Sequence, residues 1–436
     1  MTVRLAGLIV ASLVAVSCAG AGGPELQAIP TEVPVTPAPA PESTPGPTAV
    51  PLNTPTPTPE TVTIEGRVIS AADGLAVPRA NVSVGSMTVA TDATGSFVLA
   101  DVVDTGEVSV DRPVWRPTIV ASPVVGQPLV IALEPIVVRA LRVSQQVASD
   151  PAAFDALLAL ADDTVVNTLV FDTKDESDFV LYETDVAFAH ELDSVNPVYD
   201  PNDLLAKTKA HDLYTVTRIV TFEDPRWAQA VPEAALAGHW VDAANPDNWH
   251  YPLDLAVEAC QLGFDEVQFD YVRFPSGNTA ERAWELVPPT SEERSAAIAS
   301  FLGEARSRLH PMGCGVSAAI FGIVMSSPDD ERLGQTPETI SAVVDAVSPM
   351  LYPSHYSPGW LGFADPNNHP GPVIAYALDE GRDRIAAGSL MRPWIQGFYY
   401  NGDQVRAQID EAEARGAGWI IWNAFGDYRR DWLPPQ

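Results

Sequence analysis

The sequence predicts an α/β protein: a (β/α)8 barrel preceded by a small all-β sandwich and a proline- and threonine-rich linker. Three observations carry this reading. Between residues 137 and 432, apolar strand-like runs alternate with helical patterns, and eight such strands is the count of a closed barrel. A doubly wound open sheet would show a glycine-rich phosphate loop after an early strand, and the sequence has none. The third observation is Gly263–Pro275, GFDEVQFDYVRFP. Read with period two, Glu266, Gln268 and Asp270 share one face, and Val267, Phe269 and Tyr271 the other. A row of acid, amide and acid is costly to bury unless it is hydrogen-bonded or opens onto a wet cavity. The lumen of a barrel provides such a place, with Asp270 at the C-terminal rim.

At the start of the chain, Arg4 precedes an apolar run from Leu5 to Val16, followed by Ser17 and Cys18. One positive charge before a short apolar stretch reads as a signal peptide over 1–18, too short to span as a stable transmembrane helix. Cys18 after a small residue matches a lipobox, with Ala15 where leucine is usual. The expectation is an exported lipoprotein facing outside the cytoplasm and held to the membrane only by lipid on Cys18. Residues 19–60, rich in proline and threonine, lack the apolar periodicity that buries a core and predict a disordered, extended linker.

From 61 to 135 the pattern becomes short alternating strands broken at Asp73-Gly74 and Thr94-Gly95, which predicts a β-sandwich. Gly66-Arg67-Val68, Gly74 to Pro78, Ala80-Asn81-Val82 and Thr91 to Phe97 resemble carboxypeptidase-regulatory-like domains. The resemblance implies a spacer, removable without unfolding the barrel.

In the barrel region, strands are expected at 137–143, 165–172, 214–220, 264–270, 314–319, 346–352, 392–396 and 418–422. Helices are expected near 151–161, 203–211, 252–262, 291–308, 337–345, 376–387 and 402–415. Barrel enzymes keep their chemistry at the C-terminal ends of the strands. That rule collects Asp172 and Lys174, which alternation puts on one face, after the second strand, Arg218 and Glu223 after the third, and Asp270, Tyr271 and Arg273 after the fourth. It adds Tyr352 and His355 after the sixth, Gln396 after the seventh, and Trp422 and Asn423 after the eighth. Carboxylates, cations and aromatic rings on one mouth suit sugars, whose faces stack on rings and whose hydroxyls take charge-assisted hydrogen bonds. Trp227, Trp240, Trp249, Trp284, Trp360 and Trp394 are further platforms or core residues.

GFDEVQFDYVRFP closely resembles the signature of a bacterial TIM-barrel family labelled putative glycosyl hydrolase domain, related to amylase-like and α-galactosidase-like hydrolases. FDTKDE (171–176), LGQTPE (333–338), VSPMLYPSHY (347–356), RPWIQGF (392–398) and GWIIWNAFGDY (418–428) resemble it in the same order. The resemblance implies glycoside hydrolysis by two carboxyl groups. Related barrels place the nucleophile after the fourth strand, which assigns Asp270. The family pattern carries an acid after the fifth, where this chain has Ala319 in Ser317-Ala318-Ala319-Ile320-Phe321-Gly322. Asp172, Glu223 or the run Asp329-Asp330-Glu331 then stand as candidates for the acid. The alternative is a barrel that binds envelope glycans without cleaving them.

Composition narrows the classes. Lys and Arg total 25 against 57 Asp and Glu, a net charge of −32 that disfavours nucleic acid, anionic membrane surfaces and highly anionic polysaccharides. Seven histidines without an H-x-x-x-H pair weaken a metal-dependent deacetylase, so neither metal nor cofactor is expected. The carbohydrate substrate is the expected partner. Cys260 and Cys314 read equally as a disulfide or as two buried thiols.

Overall fold

The computed structural model describes residues 61–436 except 125, 278–282 and 284. The signal peptide expected over 1–18, with Cys18, the linker expected over 19–60 and Trp284 lie outside the described residues.

Seven strands form the N-terminal part. Thr61–Ser70, Ser96–Val103 and Leu129–Leu133 make one sheet, and Asn81–Val84, Met87–Ala90, Glu107–Asp111 and Thr118–Ala121 the other. Alternation along them turns Ile64, Val68, Val82, Leu99, Val108 and Ile131 into a shared core.

The rest is the barrel. Its strands are Arg139–Arg142, Thr168–Lys174, Tyr214–Val220, Glu266–Asp270, Gly315–Phe321, Ala346–Leu351, Trp394–Gln396 and Trp419–Trp422. Each pairs in parallel with the next, and the eighth returns to the first, so the sheet closes. These are the eight expected strands, within a few residues at each end.

Local chemistry fixes the outer helices. Asp150 caps Pro151–Asp162, accepting from the Ala152 and Ala153 amides. Reciprocal capping boxes start Ser291–Leu309, through Thr290 and Glu293, and Gly402–Glu413, through Asn401 and Gln404. His250–Leu262 stops at Gly263, whose φ of 105° suits a residue without Cβ. The helix expected at 376–387 instead spans Pro370–Arg382. Its prolines sit in the first turn, where the missing N–H costs nothing, so they start the helix rather than exclude it.

The lumen is filled in layers, and the polar row of the fourth strand faces into it. Near the bottom, Glu266 is bound by Arg392 and Ser317. One layer up, Gln268 accepts from Trp394 Nε1 at 2.7 Å and donates to Ser348 Oγ at 3.0 Å. Val170, Val216, Ala319 and Ile420 pack around Trp394. Asp270 tops the row.

The sandwich closes the opposite end. Tyr214, at the N-terminal end of the third strand, and Leu390, just before the seventh, pack against its core. Gly315 has Val114 so close that a Cβ would meet it at 2.8 Å. Arg112 of the sandwich reaches Asp345 of the barrel at 3.3 Å with both side chains fully buried, and His310 meets the same carboxylate at 2.7 Å. The expectation of a removable spacer is corrected here: its loss would strip a buried carboxylate of its guanidinium.

Cys260 and Cys314 form a disulfide, with Cα atoms 6.0 Å apart, tying the helix before the fourth strand to the start of the fifth. Among the described residues, no helix is long and apolar enough to cross a membrane.

Candidate active site

The C-terminal ends of the strands deliver a charged cluster above the Trp394 layer. Arg218, from the third strand, is at its centre and is almost fully buried. Its Nη1 donates to Asp172 Oδ1 at 3.0 Å, and its Nε to Asp270 Oδ2 at 2.8 Å. Its Nη2 lies 2.7 Å from Asp270 Oδ2 and also binds Glu176. Arg142, from the end of the first strand, binds the other oxygen of Asp172 at 2.6 Å. Both guanidinium groups lie over the Trp422 ring, at 4.2 Å for Arg142 and 4.9 Å for Arg218. Glu176 and Asp270 share one guanidinium nitrogen, so their carboxylates stand within two hydrogen-bond lengths, about 5–6 Å.

The chain is strained beside this cluster. Tyr271 has φ 50°, uncommon for a bulky residue, and its amide donates to Asp270 Oδ1 at 2.7 Å. The turn aims Asp270 inward and swings Tyr271 to the wall. Arg273 then lies over Trp240 and Phe321, each at 4.5 Å.

A cavity of about 530 Å3 opens on these groups, lined by Glu176, Arg218, Asp270, Arg273, Tyr356 and Trp360 among others. It continues past Tyr352, His355 and Trp422 into a second lobe of about 830 Å3. Both volumes fall in the range of ligand sites.

The carboxyl groups differ in their electrostatic surroundings. Burial works against an ionised Glu176, but Arg218 and then Arg142 outweigh it and hold its pKa at about 2. Glu223 is raised, chiefly by burial, with Arg273 and His239 opposing and Asp270 and Glu176 adding repulsion. Burial also raises Asp172 against the pull of its two arginines. His355 is lowered by burial and is neutral near pH 7.

Of the residues expected from sequence, Asp270, Arg218, Tyr271, Arg273, Tyr352, His355 and Trp422 line the cavity. Asp172 lies beneath it, locked by two arginines and accepting Tyr199 OH on its backbone carbonyl. Lys174 is buried away from the cavity, its ammonium 3.1 Å from Asp224 and from the Val220 carbonyl. The register slips by one residue between the pairs Arg218–Asp172 and Ile219–Lys174, which breaks the shared face that alternation implied. Gln396 is fully buried and braces loops, accepting from Ser354 and donating to Asn367 and the Phe398 carbonyl. Asn423 borders the second lobe but spends its amide on Gly397 and Asp427. Glu223, with 30% of its side chain exposed, lies 3.6 Å from His239 Nε2 on the loop after the third strand. Asp330 is held by Arg294 and the Gly334 amide, which removes it as a candidate acid. Ala319 is buried in the lumen.

Sequence reasoning missed two residues. Arg142 ends the first strand, where the rule applied to the other strands would have found it. Glu176 ends FDTKDE, but nothing in its spacing says which of four charged neighbours turns inward. Among the described residues, no group of three or more His, Cys, Asp or Glu side chains is arranged to hold a metal ion.

A family model described as putative glycosyl hydrolase domain matches residues 140–428. The chain belongs to that family. It is thereby a glycoside hydrolase by class, and its matched region is the barrel. No curated protein matches the sequence. Among solved structures, the glycoside hydrolase domain of PgaB (BpsB) from Bordetella bronchiseptica aligns with TM-score 0.52 and 13% identity, over 68% of this chain and 99% of that one. This likeness shows the fold. A hypothetical protein from Ruminiclostridium thermocellum is 29% identical over 41% of this chain and 96% of its own, with TM-score 0.35. The catalytic domain of a Paenibacillus polymyxa β-amylase aligns at TM-score 0.47 and 10% identity, covering 68% and 95%.

Proposed function

We propose that this chain hydrolyses a glycosidic bond of an oligo- or polysaccharide, with Asp270 as the carboxylate that meets the anomeric carbon and Glu223 as the proton donor. The observation that carries the reading is Asp270, paired to Arg218 at the wall of a cavity at the C-terminal mouth. Two nitrogens of Arg218 and the Tyr271 amide point at the Asp270 carboxylate and fix its orientation at the cavity wall. Glu176 is near enough to act with it, but a carboxyl whose pKa is held at about 2 carries no proton to give a leaving group. Glu223, raised by burial, keeps its proton into a higher range and suits the acid role. Asp172 with Arg142 orients Arg218 from below. Arg273, Tyr271, Tyr352, His355 and Trp422 form the sugar-binding walls.

Glycan binding without turnover is a second reading, favoured by Ala319 at the position where the family pattern has an acid. Product release separates the two. A glycan panel cleaved by wild type and spared by both Asp270→Asn and Glu223→Gln supports hydrolysis. Binding with no cleavage of any glycan supports the second reading.

We further propose export with a lipid anchor on Cys18. The Cys260–Cys314 disulfide supports an oxidising compartment. The test is membrane fractionation of Cys18→Ala, which should become soluble; identical fractionation of the two forms would refute the anchor.

A further inference from the structure

The second lobe has features that the cleavage chemistry does not use. Among the described residues, only two aromatic side chains are largely exposed, Tyr399 at 90% and Phe425 at 73%, and both line this lobe. Exposing large rings forfeits hydrophobic stabilisation, and isolated instances need no explanation, but two on one concave wall do. Tyr399 is also held at φ 61°, a conformation that a bulky residue adopts only when its surroundings impose it. The imposing structure is visible. Asn423 Nδ2 donates to the Gly397 carbonyl at 2.9 Å, and its Oδ1 accepts from the Phe425 amide at 3.0 Å. The Tyr400 hydroxyl donates to the Asn367 carbonyl at 2.8 Å. One asparagine thus ties the loop that carries Tyr399 to the loop that carries Phe425.

The lobe is continuous with the candidate active site, because Tyr352, His355 and Trp422 line both. Asp427 and Asp431 also border it, as acceptors for hydroxyl groups. Rings with carboxylates between them match a chain of sugar units, whose apolar faces stack while their hydroxyls donate. Arg429 stands between Asp427 and Asp431 in the sequence and lines the lobe with them, leaving the wall negative by one charge, which fits an uncharged glycan better than a uronic acid polymer.

We propose that the second lobe is an extended binding track for successive units of an uncharged glycan, with Tyr399 and Phe425 as stacking platforms and Asn423 as the positioning residue. The inference rests on the carbohydrate reading above and deepens it: the substrate is a chain of several sugars crossing Trp422, not a single glycoside.

The test measures binding to the full chain carrying Asp270→Asn, so that turnover plays no part. The probes are cello-, chito- and malto-oligosaccharides from disaccharide to hexasaccharide, followed by calorimetry. Affinity should climb with length for one series. Tyr399→Ala and Phe425→Ala should each remove about tenfold of that gain, and Tyr399→Phe should restore it. Equal weakening at every length would mark a merely structural role and overturn the track. Hydrolysis by wild type is followed separately. If wild type cleaves a glycan but affinity ignores both rings, the track fails and the hydrolase reading stands. Length-dependent binding through the rings without any cleavage keeps the track and removes the hydrolase. A chain that binds none of the probes overturns the track.

Discussion

Arg218→Met isolates what the central guanidinium contributes. The methionine fills much of the same volume but removes a buried cation that binds the buried Asp172 and Asp270 and the partly exposed Glu176. Leaving the partners of a buried ion pair uncompensated costs about 3–5 kcal/mol. For a cooperative unit of this size that corresponds to a fall in Tm of about 4–8 °C. The pH dependence identifies the cause. Glu176 has a folded pKa depressed to about 2, so its contribution is full above its ordinary value of 4.5 and is lost as pH falls toward 2. Asp172 is raised in the fold, so its ionised form already opposes folding, and losing Arg218 raises it further. Both effects make the deficit largest near neutral pH and smaller once carboxylates gain protons. Thermal melts of wild type and variant at about pH 7 and about pH 3.5 would measure this. A deficit under about 1 kcal/mol, or one that is equal at both pH values, would refute the idea that Arg218 offsets three buried or half-buried carboxylates.

The same structure sets other outcomes. Activity should fall on the alkaline side as the raised Glu223 carboxyl loses its proton; Glu223→Gln should abolish that limb and spare mainly substrates with good leaving groups, as a pH–rate profile would show. Reducing Cys260–Cys314, which are separated by 54 residues, should lower stability by about 4 kcal/mol, read from urea midpoints with and without reductant. Arg112→Ala should destabilise the barrel as well as the sandwich, because Asp345 loses a buried partner; limited proteolysis should then cut both parts together.

The barrel was legible because strands buried on both sides leave near-continuous apolar runs, and because GFDEVQFDYVRFP departs from that rule in a way only a polar lumen explains. Glu266, Gln268 and Asp270 all face inward. Side-chain choice within the mouth was less legible. Alternation put Asp172 and Lys174 on one face, but a one-residue register slip is a tertiary event that leaves no mark in composition. Gln396 and Asn423 looked like ligand groups because a polar residue at a strand end can serve a sugar or a loop, and only coordinates show that Ser354 and Gly397 have taken their hydrogen-bonding capacity. Pairing of Cys260 with Cys314 depended on a Cα separation that no spacing encodes. The sandwich strands were readable from alternation, whereas their docking on the barrel turns on Arg112 meeting Asp345 and Val114 meeting Gly315, pairings more than 200 residues apart that no local pattern marks.

The most direct measurement is release of new reducing ends from a broad glycan panel by wild type and Asp270→Asn, with glycan affinity measured alongside. The account predicts cleavage by wild type, and a loss of several orders of magnitude in the variant with fold and affinity kept, because the change removes charge but little shape. A variant that cleaves a confirmed substrate at the wild-type rate would contradict the assignment of Asp270.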